Sequence, residues 1–164
     1  MNSPKPAPEP QGEPVPIRER KPTLLVLHIN DSTDDQVLFQ TACKHAEVPF
    51  NWHVADSTEK AITYLETLIK LDKSHSVAWP DLVVLDVVMP GESGFKVLEF
   101  IRKNPALHRL PVVIFTGHSS PTMVEEAYKR GANSFLAKPA NFPQTVELVS
   151  SLYAIWSIAQ RPTV

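Results

Sequence analysis

A chain of 164 residues is long enough to bury a core of its own, and its single cysteine, Cys43, excludes an internal disulfide. A formal net charge of -2 offers no basic field to nucleic acid. No apolar run approaches the roughly 18 residues of a membrane helix, and no signal-peptide core opens the chain, so it reads as soluble and cytoplasmic, with no nucleic-acid and no membrane partner.

Residues 1–22 carry prolines at 4, 6, 8, 10, 14 and 16 and few apolar side chains. Such a composition favours polyproline II or disorder, and this stretch reads as a tail. From Thr23 the chain alternates apolar runs with helix-period segments, the pattern of βαβ units and a parallel sheet. Leu24 to Ile29 is a buried strand that runs into Asn30-Asp31. A helix follows over about Asp34 to Ala46, with Val37, Leu38 and Thr41 on one side and acids in its first turn, where they suit the helix dipole. Cys43 on that helix reads as a buried, inert thiol.

Phe50 to Val54 alternates as a strand, and Asp56-Ser57-Thr58-Glu59 caps a helix whose Ala61, Ile62, Leu65, Leu68 and Ile69 recur at helical spacing. Lys70 to Asp81 is a polar connection, longer than is usual between a helix and a strand. Leu82-Val83-Val84-Leu85 is rich in β-branched residues and reads as a strand buried on both faces, ending on Asp86 before a Pro90-Gly91 turn. On this stretch alone a turn-opening aspartate and a functional one are equally served.

A helix over Gly94 to Lys103, a strand over Val112 to Phe115 that finishes on Thr116, and a helix over about Pro121 to Arg130 come next. Ser134 to Ala137 is the last strand, stopped by Lys138-Pro139, and a helix over about Phe142 to Ala159 closes the chain. Five strands alternating with five helices give an α/β, doubly wound parallel sheet.

In such a sheet ligands bind at the carboxyl ends of the strands, where Asn30-Asp31, Asp86, Thr116 and Lys138 now meet. Two carboxylates brought together repel unless a cation lies between them, and all-oxygen ligation suits Mg²⁺, which shares its shell with phosphate oxygens. Thr116 offers a hydroxyl and Lys138 a charge to a phosphoryl in transfer, and Asp86 is the candidate nucleophile, since a carboxylate forms an acyl phosphate.

Together these pieces (Asn30-Asp31, Asp86 to Gly94, Thr116-Gly117 and Lys138-Pro139) resemble the receiver domain of two-component response regulators, over about Thr23 to Ala159. The resemblance implies a flavodoxin-like (βα)5 three-layer sandwich of strand order 2-1-3-4-5, with residues 23–160 as the receiver domain and 161–164 as a C-terminal tail. It implies that Asp86 accepts phosphate from a sensor histidine kinase or a phosphotransfer protein, that Asp31, Asp86 and the Val88 carbonyl hold Mg²⁺, and that Thr116 and Lys138 bind the phosphoryl group. Phe135 falls at the family's switch-aromatic position and is expected to change rotamer with Thr116.

Two positions depart from the family pattern. Asn30 replaces the first residue of the usual acidic pair, which removes a charge and weakens Mg²⁺ binding without abolishing it. Val88 and His118 occupy the positions that tune loss of phosphate. An apolar Val88 cannot orient a hydrolytic water, so a long-lived phosphoryl is expected unless His118 supplies that water.

No output module follows Lys138, so the chain reads as a single-domain regulator, similar in this and in its long 70–81 connection to the small response regulators paired with bacterial phytochromes. The final helix has two apolar stripes: Val146, Val149, Tyr153 and Trp156, and beside them Leu148, Leu152, Ile155 and Ala159. One stripe suffices to pack on the sheet; the second either widens the buried face or forms a homodimer through the C-terminal helix.

Six histidines show no metal-ligand spacing, and mid-strand His28 reads as a satisfied core or strand-face residue. Asp34-Asp35 reads as a helix-start pair close enough to Asp31 to add negative field. The rival to a phosphorylatable switch is a receiver-like interaction module acting without phosphate. An aspartyl phosphatase is disfavoured, because the acid such enzymes place two residues after the nucleophile is Val88 here.

Overall fold

The computed structural model describes residues 22–71 and 77–159. The expectations for the proline-rich segment, for residues 161–164 and for the middle of the 70–81 connection lie outside the described residues. In chain order the elements are β1 (Leu24–Ile29), α1 (Thr33–His45), β2 (Phe50–Ala55), α2 (Thr58–Leu71), β3 (Leu82–Leu85), α3 (Phe95–Lys103), β4 (Val112–Thr116), α4 (Pro121–Lys129), β5 (Ser134–Ala137) and α5 (Phe142–Ile158). All neighbouring strands are parallel, in the order β2-β1-β3-β4-β5. The doubly wound arrangement and its strand order are thus those expected.

Because side chains alternate along a strand, the sheet feeds two cores. Leu27, Ile29, Val83, Leu85, Val112 and Ile114 face α2, α3 and α4, where Ala61, Leu65, Val97, Leu98, Ile101 and Ala127 meet them. Leu24, Val26, Leu82, Val84, Val113 and Phe115 face α1 and α5. Every residue of β3 and β4 is buried, as expected of central strands covered on both faces.

The inward face of α1 corrects the sequence reading. Phe39, Ala42 and Cys43 are buried, whereas Val37 and Leu38 are exposed. Apolar residues run on through 37, 38 and 39, so hydrophobicity alone leaves the face open. The small side chains at 42 and 43 settle it by letting the helix come close to the sheet. Cys43 is the inert thiol expected: burial pushes its pKa up to about 12. On α5 the first stripe and Leu152 turn inward, while Ile155 is 60% exposed and Ile158 81%. Among the described residues no helix is long and apolar enough to cross a membrane.

At the end of the sheet opposite the strand carboxyl termini, Arg102 holds two loops. Its guanidinium donates to the carbonyls of Gly131 (2.8 Å), His108 (3.0 Å) and Leu110 (2.9 Å) and to Asn133 Oδ1 (2.8 Å). Each acceptor is a loop group that the sheet ladder leaves unpaired. Arg102→Met keeps the apolar stem and removes these donors; it should lower the unfolding free energy by about 2 kcal/mol, read as a shifted urea midpoint at constant m-value.

Candidate functional site

The sheet ladder continues past the strand ends and fixes the site residues by their backbones. The Asn30 amide donates to the carbonyl of Ala55 (3.0 Å), the Asp86 amide to that of Ile29 (2.9 Å) and the Lys138 amide to that of Thr116 (2.8 Å). Asp86, one residue beyond β3, is only 6% exposed. Its Oδ1 accepts from the Val88 amide at 2.9 Å, and its Oδ2 from Lys138 Nζ at 2.6 Å. These two donors are what make a buried carboxylate tolerable.

Lys138 is shared. Its Nζ lies 2.6 Å from Asp35 Oδ2 as well, across from Asp86. Burial by itself would push the Lys138 ammonium down, but hydrogen bonds and charge from Asp35 and Asp86 outweigh it and hold the pKa above the usual lysine value. Sequence reading did not find this role for Asp35, which sits in the first turn of α1 and is 103 residues from its partner.

A relay of local bonds aims Asp35 at the lysine. Asn30 Oδ1 accepts from the Ser32 amide (2.8 Å), Ser32 Oγ caps α1 by accepting from the Asp35 amide (3.2 Å), and Gln36 Nε2 donates to the Asn30 carbonyl (2.6 Å). Gly94 is a second residue whose part was not legible. A Cβ there would stand 2.3 Å from the Asp86 carbonyl oxygen, so only glycine lets α3 begin this close to the strand end.

The other predicted residues fall around this centre. Thr116 is fully buried at the end of β4. Phe135, half-buried, is the β5 partner of Ile114 and shares with Thr116 the face toward α4. Asp31 is exposed, and its carboxylate takes no hydrogen bond or ion pair from the described residues. The Val88 side chain is 42% exposed, and His118 is exposed, its amide 3.4 Å from Thr116 Oγ1.

Asn30 is buried, with Nδ2 unpartnered among the described residues. His28 departs from the expectation of a satisfied side chain: it is buried against the Phe39 ring at 4.7 Å, but its Nδ1 has no partner among the described residues.

No three His, Cys, Asp or Glu side chains converge as a metal cluster among the described residues. A cation here would rest on the Asp31 and Asp86 carboxylates, the Val88 carbonyl and water. That donor set is hard, all-oxygen and suited to Mg²⁺, which keeps several waters. Asp31 and the Val88 carbonyl, uncommitted to other described groups, fit that use.

Residues 26–150 match the family model described as the response regulator receiver domain. The chain belongs to this family. Receiver domains are signalling proteins that bind Mg²⁺ and work with a histidine kinase or phosphotransfer partner. The chain is similar to the response regulator Rcp1 of Synechocystis sp., at 27% identity over 84% of this chain and 92% of that one. It is also similar to the phosphorylated cyanobacterial phytochrome response regulator RcpA, with a TM-score of 0.74 and 26% identity over 87% of this chain and 100% of that one. A further similar structure is response regulator RPA3017 in red light signalling of R. palustris, with a TM-score of 0.77 and 27% identity over 86% and 99%.

His28 gives the receiver fold of this chain an acid-sensitive spot. Burial, aided by the Lys138 charge, lowers its pKa from 6.5 to about 4. The unfolded chain therefore takes up a proton that the folded chain refuses, and stability falls as pH drops through the window between those values. His28→Leu should flatten this limb by on the order of 3 kcal/mol relative to the parent between pH 7 and 4, in paired denaturant titrations.

Proposed function

We propose that this chain is a response regulator that accepts a phosphoryl group on Asp86 from a histidine kinase or phosphotransfer protein and signals by a phosphorylation-dependent change in protein contacts. The observation that carries the reading is the Asp86 carboxylate, buried at the sheet edge and held by the Val88 amide and Lys138 Nζ. An Asp86 carboxylate oxygen attacks the phosphorus of a phosphohistidine, the phosphorus–nitrogen bond breaks, and the imidazole leaves with the electron pair and takes up a proton. Asp31, Asp86 and the Val88 carbonyl would hold Mg²⁺, which would supply charge neutralisation for the transferring oxygens. Lys138 and the Thr116 hydroxyl receive the remaining phosphoryl oxygens.

Drawing Thr116 toward the phosphoryl vacates space on the face it shares with Phe135, and that ring then turns inward; phosphate shifts the population because its contacts differ between the two states. The outputs we propose are contacts of residues 23–160, including a homodimer through the exposed Ile155 and Ile158 of α5, in the cytoplasm and without nucleic acid. A neutral Asn30 where the family usually carries an acid favours the rival, a module that acts through protein contacts alone.

Incubation with acetyl phosphate and Mg²⁺ decides between them: the reading expects an acid-labile mass gain of one phosphoryl group that Asp86→Asn abolishes, and the rival expects none. The Val88 side chain offers no polar atom to orient a hydrolytic water, so the phosphoryl half-life should be minutes or longer and should shorten severalfold in Val88→Glu. A half-life of seconds in the parent, lengthened by His118→Ala, would assign the water to His118 instead.

A further inference from the structure

Lys138 has two carboxylate partners at equal distance, and they are not equivalent. The Asp86 side chain is 7% exposed and the Asp35 side chain 39%. A carboxylate at the protein edge is readily rehydrated, so its ion pair is the more easily broken. A cavity of about 80 Å³ beside Asp35 and Lys138, lined also by Leu38, Phe115 and Thr145, leaves room for water to take the place of the ammonium. Asp35 also adds a charge to a site where position 30 is neutral. The three carboxylates Asp31, Asp35 and Asp86 against Lys138 bring the site to a net charge of minus two, whereas Asp31 and Asp86 against Lys138 reach only minus one.

We propose that Asp35 is a positioning residue that competes with the phosphoryl group for Lys138: it holds part of the ammonium's hydrogen-bonding capacity in the unmodified protein and gives it up when Asp86 is phosphorylated. The proposal rests on the phosphoryl-acceptor reading above. A phosphoryl group brings about two negative charges to where the carboxylate had one, and it draws the ammonium from its weaker partner. Release of Lys138 then unties the first turn of α1 from the loop between β5 and α5, so the first turn of α1 registers the state of Asp86.

Beryllofluoride with saturating Mg²⁺ is the probe, titrated by NMR into the full chain and into Asp35→Asn, Lys138→Ala and the double variant. Relieved of its competitor, Lys138 in Asp35→Asn should bind beryllofluoride about three- to tenfold more tightly than in the parent. The gain should vanish in the Lys138→Ala background, which a merely structural effect of position 35 would not do. Mg²⁺ alone, titrated without beryllofluoride, should bind Asp35→Asn severalfold more weakly, since a negative charge has gone.

Unchanged or weaker beryllofluoride binding in Asp35→Asn, or a gain that persists without Lys138, overturns the proposal while leaving the phosphoryl-acceptor reading in place. A parent chain that takes up no beryllofluoride defeats both.

Discussion

One ammonium group organises the carboxyl end of the sheet. Lys138 Nζ touches Asp86 and Asp35 at 2.6 Å each, and through them it joins the end of β3, the first turn of α1 and the loop that follows β5. A carboxylate as buried as that of Asp86 costs several kcal/mol if left unpaired, so the lysine is a condition of the fold as well as of the chemistry. Its position is not left to side-chain torsions alone. The ladder bonds of Asn30, Asp86 and Lys138 extend the sheet's register by one residue and bring their Cα atoms to one edge.

The alternation of side chains then divides labour between the two faces. Asp86 continues the parity of Leu82 and Val84, and with His28 and Asn30 it faces α1 and α5. Thr116 continues the parity of Val112 and Ile114, and it shares with Phe135 the side covered by α4. A phosphoryl on Asp86 would therefore stand at the seam between two cores. A lysine contact would speak to the first face and a threonine contact to the second, so that in the proposed function one added group would bias packing on both sides of the sheet.

How much of this was legible depends on the range of the interaction. The central strands β3 and β4 announced themselves because a segment buried on both faces must be apolar along its length, and each leads to the polar residue of the candidate site, Asp86 or Thr116. The face of α1 was not legible, since Val37, Leu38 and Phe39 are interchangeable by hydropathy and only the close packing of Ala42 and Cys43 chooses among them. Asp35 looked like dipole compensation, because nothing local distinguishes that from an ion pair with a residue 103 positions away. Gly94 could be read as a turn residue, but its reason is the Asp86 backbone, a contact with no sequence signature. The orphaned nitrogen of His28 was equally invisible: burial follows from its place in the strand, satisfaction does not.

Asn30 looked at first like a lost function, a metal-site acid turned neutral. Its surroundings give it another physical meaning. The residue is 1% exposed, its Oδ1 is committed to the Ser32 amide, and Asp86 already places one charge beneath the surface nearby. A second carboxylate at this depth would have to be desolvated against the first, with a single ammonium to serve both. An amide keeps the Ser32 bond without that cost, and the Ser32 cap that it orients delivers Asp35 to the lysine from the solvent edge, where a charge is cheaper to hold. The carboxylate that serves the lysine from this side is therefore that of Asp35, in the first turn of α1, and the cap that carries it is held by the bond Asn30 itself makes.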